Sequence, residues 1–149
     1  MIARDIMVRQ IHTIAPDCTV RDALKRMATL RIQAFPVVSQ EQKLLGTLNF
    51  WQILERAMPS YITKGDLSDV RFAPDFAKLH ERLEDLKSKP VTLVMNHEPP
   101  CVDPDHSVLS CAALIMQAPK TVNILPVVEG DRRLVGIIAA WDIIKEIAT

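Results

Sequence analysis

Apolar residues fall along this chain with two periods, one helical and one extended, and the same succession of periods is met twice. Thr19 precedes Val20, Ala23, Leu24, Met27 and Leu30, a stripe at helical spacing behind a hydroxyl that can cap it. Phe35-Pro36-Val37-Val38 then reads as a buried strand entered through an edge-tolerated proline, with Leu44 to Leu48 as its hairpin partner across Ser39 to Lys43. A second helix is expected from near Asn49 through Trp51, Ile53, Leu54 and Ala57, and a short extended piece from Ile11 to Ile14 precedes Pro16-Asp17. The predicted order is strand, helix, strand, strand, helix.

The second half predicts that order again. Cys101-Val102 is extended, Ser107 caps a helix through Leu114 and Met116, Ile124 to Val128 pairs with Leu134 to Ala139, and Ala140 to Ile147 forms the last helix. The match extends to single residues. Ile6-Met7, Ile14, Pro16-Asp17 and Val20 return 88 positions later as Val94-Met95, Val102, Pro104-Asp105 and Val108. Phe35-Pro36-Val37-Val38, Leu45-Gly46, Trp51 and Ile53 return 90 positions later as Leu125-Pro126-Val127-Val128, Val135-Gly136, Trp141 and Ile143. The two-residue slip belongs near Ala118-Pro119-Lys120, because proline ends a helix and a loop tolerates insertion, so this loop should differ in shape from Leu30-Arg31. Duplication this ordered implies two copies of one supersecondary unit. Each copy alone is near the lower size limit for a core, so the two are expected to stabilise one another face to face and to enclose related clefts.

A connector over 59–89 separates the copies and is long for a bare loop. Phe76, Leu79, Leu83 and Leu86 stand at helical spacing with Glu81, Glu84 and Asp85 between them, which predicts an amphipathic helix within Pro74 to Lys87. It could pack on its own domain or contact a partner. The expected division is 2–58, 59–89 and 90–149.

Charge narrows the function. The chain has 18 basic and 18 acidic residues and a formal net charge of zero, which gives no general attraction to a phosphate backbone and disfavours nucleic acid as partner. Three cysteines, Cys18, Cys101 and Cys111, form no paired framework, no basic leader precedes an apolar run, and no window nears the about 18 apolar residues that span a bilayer. A reduced, cytoplasmic, soluble protein with no membrane association is expected. No P-loop, nucleophile elbow, G-x-G-x-x-G or H-E-x-x-H occurs, so an enzyme is not expected. His97, Cys101 and His106 match no established zinc spacing, and no metal site is expected.

Two copies of an extended segment ending in h-x-P-D, a helix, a P-V-V strand, an L-x-G strand and a closing helix resemble a tandem pair of cystathionine-β-synthase (CBS) domains, a Bateman module, over about residues 2–58 and 90–149. The resemblance implies an α/β fold of two pseudo-symmetric repeats, each a small sheet packed with two helices, commonly assembled into a flat homodimer. It implies a regulatory module that senses an adenosine-containing ligand, AMP, ADP, ATP or S-adenosylmethionine, and signals to an effector. No effector domain is attached in this sequence, so the effector is expected to be a separate protein. No cofactor is required; the nucleotide or S-adenosylmethionine is a regulatory ligand.

The family's ligand motif is G-h-h-[ST]-x-x-D, whose hydroxyl caps the last helix and whose acid offers two oxygens to the ribose hydroxyls. Gly136-Ile137-Ile138-Ala139-Ala140-Trp141-Asp142 keeps the glycine and the acid but has Ala139 for the hydroxyl, which makes Asp142 the leading ligand residue. Gly46-Thr47-Leu48-Asn49-Phe50-Trp51-Gln52 has Asn49 for the hydroxyl and neutral Gln52 for the acid, implying a weaker or empty second site. Asn49 with Gln52 also resembles a capping box, and Asp142 would suit the helix dipole without any ligand. The family's adenine slot maps to Pro100, Cys101 and Val102, and in the other half to His12, Thr13 and Ile14; Val102 and Ile138 are either its apolar walls or ordinary core.

Many nucleotide-binding members carry a basic residue two before the proline of P-V-V, where this chain has Ala34 and Ile124. Lys120, Arg132 and Arg133 are loop cations that could reach a phosphate or stay solvated. Adenosine and S-adenosylmethionine therefore stay open beside AMP. Trp51 and Trp141 hold equivalent helix positions suited to a repeat or dimer interface. The alternative function is a ligand-free dimerisation or interaction scaffold, favoured by the missing hydroxyl, basic residue and first acid.

Overall fold

A computed structural model describes residues 1–58, 76–119 and 122–149. Lys120 and the connector residues 59–75 lie outside the described residues. The helices are α1 (Ala3–Ile6), α2 (Val20–Leu30), α3 (Phe50–Ala57), α4 (Phe76–Lys87), α5 (Val108–Gln117) and α6 (Ala140–Ala148). The strands are β1 (Ala34–Val38), β2 (Leu44–Asn49), β3 (Leu125–Glu129) and β4 (Arg133–Ile138), and a short 3₁₀ turn covers Val91–Leu93. Both expected hydroxyl caps form: Thr19 Oγ1 accepts from the Asp22 N–H at 3.2 Å, and Ser107 Oγ from the Ser110 N–H at 3.0 Å. Each satisfies a backbone donor that an uncapped helix start would leave open.

β1 pairs antiparallel with β2, and β3 with β4, and each hairpin has its register shift at the same repeat position, Val37/Val38 and Val127/Val128. The two hairpins also meet at their tips. The Leu44 N–H donates to Arg132 O at 2.8 Å and the Leu134 N–H to Gln42 O at 3.0 Å, with Lys43 Nζ 2.6 Å from Asp131 Oδ2. Gln42 and Arg132, equivalent in the repeat, both adopt positive φ, 64° and 62°, at these tips.

The expected opening strands shrink to single residues. Ile14 bonds with β1 through Pro36 O and the Val38 N–H, and Val102 does the same with β3 through Pro126 O and the Val128 N–H. Pro16 and Pro104 stand two residues further on and cannot donate to a longer ladder. The second hairpin strand ends at Ile138, since Ala139 already serves as the N-cap of α6.

Packing departs from a simple pair of self-contained units. One core joins Ile14, Val20, Met27, Phe35, Leu48 and Ile53 to Leu86 of the connector helix and to Val91, Val94 and Met95 from beyond the connector. The other joins Val102, Cys111, Leu125, Val127, Ile138 and Ile143 to Ala3, Ile6 and Met7 from the chain's beginning. Each repeat thus completes its neighbour. The exchange is hydrogen-bonded: the Ala3 N–H donates to His106 O at 2.7 Å and the Val91 N–H to Cys18 O at 2.8 Å. Val8 and Ile137 exchange bonds across the edge of β4, as Asn96 and Thr47 do across the edge of β2.

α4 forms where helical spacing predicts it and lies on its own domain, against α2 and α3, with Leu86 buried and Leu83 packed on the first core. The loop expected to vary does so. α2 ends at Arg31 in the left-handed conformation, whereas α5 ends at Ala118 in extended conformation before Pro119.

Glycine is required where the exchanged segments cross the hairpins. A β-carbon on Gly46 would collide with Asn96 O and come within 3.1 Å of Met95 Sδ, and one on Gly136 would lie 2.5 Å from Met7 Sδ. Elsewhere in a strand, alanine would favour folding over glycine by roughly 0.5–1 kcal/mol. Here Gly46→Ala should instead lower stability by about 1–3 kcal/mol through overpacking against backbone. Gly136→Ala should cost less, because a methionine side chain can move. Urea midpoints of the two variants measure both, and an unchanged or raised midpoint for Gly46→Ala would contradict the seating of Met95-Asn96 on β2.

Candidate functional site

The turns that lead into β1 and β3 and the first turns of α3 and α6 come together around one cavity of about 760 Å³. Its walls are paired by the repeat: Ile32 with Val122, Gln33 with Asn123, Ala34 with Ile124, and Trp51 with Trp141. Val8, Gln10 and His12 line it from the segment that crosses β4, and Arg31 lies at the end of α2. The surface is aromatic and aliphatic with a few amide and imidazole groups. That composition suits a flat organic ligand with a small number of polar edges. Trp51 and Trp141 keep 43% and 66% of their surface accessible, so both indoles are free to be covered.

The two helix starts at this cleft are closed differently. At α3, Asn49 and Gln52 form a reciprocal box: the Gln52 N–H donates to Asn49 Oδ1 at 3.0 Å and the Asn49 N–H to Gln52 Oε1 at 2.9 Å. At α6, Ala139 has no acceptor to offer, and only the return bond exists, from the Ala139 N–H to Asp142 Oδ2 at 2.7 Å. The other oxygen of Asp142 lies 3.1 Å from Lys145 Nζ. Asp142 is buried and turned to its own helix start, and unlike its neighbours Ala139, Ala140 and Trp141 it is not among the residues that line the cleft.

Of the residues singled out from the sequence, the structure brings Ala139 and His12 into this cleft, together with both tryptophans. Ile138 and Val102 are fully buried in the second core, so their apolar character serves packing. Pro100 and Cys101 are half-buried and do not line the cleft. Thr13 and Ile14 border a different cavity, of about 480 Å³, beside Ser39 to Gln42, and Arg26 Nη1 donates to Thr13 O at 2.6 Å. The structure therefore does not gather Thr13 and Ile14 with Asn49 and Gln52. Arg132 Nε is taken by Leu44 O, and Arg133 pairs with Glu129 at 2.7 Å; neither lines the cleft.

Reading by motif missed Arg31, Gln33 and Asn123, although the repeat offset that aligns Ala34 with Ile124 also aligns Gln33 with Asn123. Among the described residues no group of three or more histidine, cysteine or acidic side chains could hold a metal ion. His97 Nε2 contacts Thr92 O and His106 Nδ1 contacts Asp103. Burial pushes the Cys18 and Cys111 thiols up from their ordinary pKa, which keeps them protonated and poor nucleophiles.

The caps should be visible in stability without ligand. Asn49→Ala and Asp142→Ala should each cost about 1 kcal/mol, since each removes the group that satisfies a buried helix-start donor. Denaturant titrations of the two variants measure this, and no loss for Asp142→Ala would mean that its carboxylate does not hold the start of α6.

The chain matches the family model of the CBS domain at residues 3–58 and 88–149. Inosine-5'-monophosphate dehydrogenase from Methanocaldococcus jannaschii is 31% identical over 143 residues, which is 96% of this chain and 23% of that protein. The chain thus spans less than a quarter of that relative's length. Among solved structures, CBSX2 of Arabidopsis thaliana in complex with AMP shares the fold with a TM-score of 0.74 at 21% identity, covering 99% of this chain and 96% of that one. The CBS domain pair of protein MJ0100, in complex with 5'-methylthioadenosine and S-adenosyl-L-methionine, gives a TM-score of 0.69 at 19% identity over 99% of this chain and 96% of that one.

Proposed function

This chain belongs to the CBS domain family, and from that premise we propose that it is a regulatory module that takes an adenosine-type ligand in the cleft between its repeats and biases a separate effector. The observation that carries the reading is that both repeats supply equivalent residues to one cleft, with Trp51 and Trp141 at its two helix starts. Its volume lies within the roughly 300–1,000 Å³ of small-molecule sites. Aliphatic and indole surface would cover the faces of a purine, and the amides of Gln33 and Asn123 would meet its polar edge. Asp142, next in the chain to the wall residues Ala140 and Trp141, would serve the ribose, since a carboxylate has about four acceptor positions and the Ala139 N–H and Lys145 take two. The AMP bound by CBSX2 and the adenosine compounds bound by the MJ0100 pair support this class of ligand.

A ligand that touches both walls binds some arrangements of the repeats better than others, and that difference in affinity is the signal an effector could read. We also propose a homodimer, with the exposed Trp141, Ile144 and Ile147 of α6 as apolar surface available to a second copy.

One observation favours the scaffold reading instead: both oxygens of Asp142 already have partners, and Ala139 leaves the motif's hydroxyl out. Asp142→Asn separates the two, because the amide oxygen can still accept from the Ala139 N–H while the charge is gone. A ligand at 100 times its Kd should stabilise the native chain by about 2.7 kcal/mol, and thermal shift with AMP, ADP, ATP, S-adenosylmethionine and NADH reads it. Asp142→Asn should weaken the response about tenfold, the loss of one charge-assisted contact. A folded native chain that answers none of these compounds would remove the ligand claim and leave the scaffold.

A further inference from the structure

We infer that the cleft selects an adenosine-type ligand bearing one anionic group, a monophosphate or a carboxylate, held by Arg31, and gains nothing from a second or third phosphate. This selectivity rests on the ligand site proposed above. Among the described residues that line the cleft, Arg31 is the sole lysine or arginine. Its backbone is fixed by the end of α2, with φ 56°, ψ 41° and its N–H returned to Met27 O. No carboxylate among the described residues lies within ion-pair distance of its guanidinium, so that fork of donors is open to a ligand.

Beside Arg31 the described walls carry no second lysine or arginine, and His12 is their one imidazole. A helix start offers backbone donors to an anion only while they are free. At α3 Asn49 takes the Gln52 N–H, and at α6 the carboxylate of Asp142 sits within the first turn and repels another anion. Ala34 and Ile124, equivalent in the repeat and both on the wall, are apolar. A net charge of zero adds no background field to compensate. The second repeat has no copy of this arginine: α5 ends in extended conformation at Ala118, and Pro119-Lys120-Thr121 follows. Each additional phosphate would therefore leave water for described walls with no second lysine or arginine to receive it.

Isothermal titration of the full chain with adenosine, AMP, S-adenosylmethionine, ADP and ATP tests the assignment. AMP or S-adenosylmethionine should bind about tenfold more tightly than adenosine, the gain of one charge-assisted contact, and ADP and ATP no more tightly than AMP. Arg31→Gln should erase the difference between AMP and adenosine, Arg31→Lys should retain part of it, and Lys120→Gln should leave it in place. A tenfold preference for ATP over AMP, or an AMP-to-adenosine ratio that survives Arg31→Gln, would overturn the selectivity while leaving the site standing. Failure of adenosine and of all four charged compounds to bind would overturn the site and the selectivity together.

Discussion

The exchange of segments between repeats governs everything else in this structure. Ala3, Ile6 and Met7 fill the second core, and Leu86, Val91, Val94 and Met95 fill the first, so neither repeat owns a complete set of apolar contacts. Separating the halves would expose two cores at once, a much larger loss than parting two closed surfaces. The halves are accordingly expected to unfold as one cooperative unit. The same exchange builds the cleft. Val8 is held on the edge of β4 by its bonds to Ile137, and both line the cavity between the repeats.

Close approach at two glycines makes the exchange specific. Gly46 lets the backbone of Asn96 lie on β2, and Gly136 lets the side chain of Met7 lie on β4. Those glycines also open the G-h-h stretches that end at the helix caps. Sheet edge, crossing segment and helix start are therefore one continuous construction. A change that lifts the crossing segment would displace a wall of the cleft with it.

Most of the fold was legible because the periods of Val20 to Leu30, Phe35 to Leu48 and their copies are set by local burial, and the caps Thr19 and Ser107 are read from adjacent residues. The crossing of Ala3–Ile6 and Val91–Leu93 was not, since a repeat alignment shows that Ile6-Met7 matches Val94-Met95 but carries no information on which core receives them. The site was legible only in part for the same reason. Motif positions locate Ala139 and Asp142 along the chain, but Ile138 faces the core and Thr13 a different cavity, because alternate residues of an extended segment point to opposite sides. Arg31 had no local signal at all: its place in the cleft comes from a left-handed helix end, with Val122 and Asn123 of the other repeat on the same cavity.

Duplicated walls raise a problem for recognition that the differences between the repeats resolve. A cleft with true two-fold symmetry would accept an asymmetric ligand in two opposed orientations of equal energy. Here the helix start of the second repeat carries Asp142 where the first carries Gln52, and the helix end of the first carries Arg31 where the second has Ala118-Pro119. The acid and the cation thus belong to different repeats. Under the proposed reading, a sugar diol is drawn toward α6 and an anion toward the end of α2, so a single orientation bridges both halves. A ligand that bridges in one orientation pulls on the arrangement of the repeats in one direction, which is what a regulatory module needs if occupancy is to mean one thing to its effector.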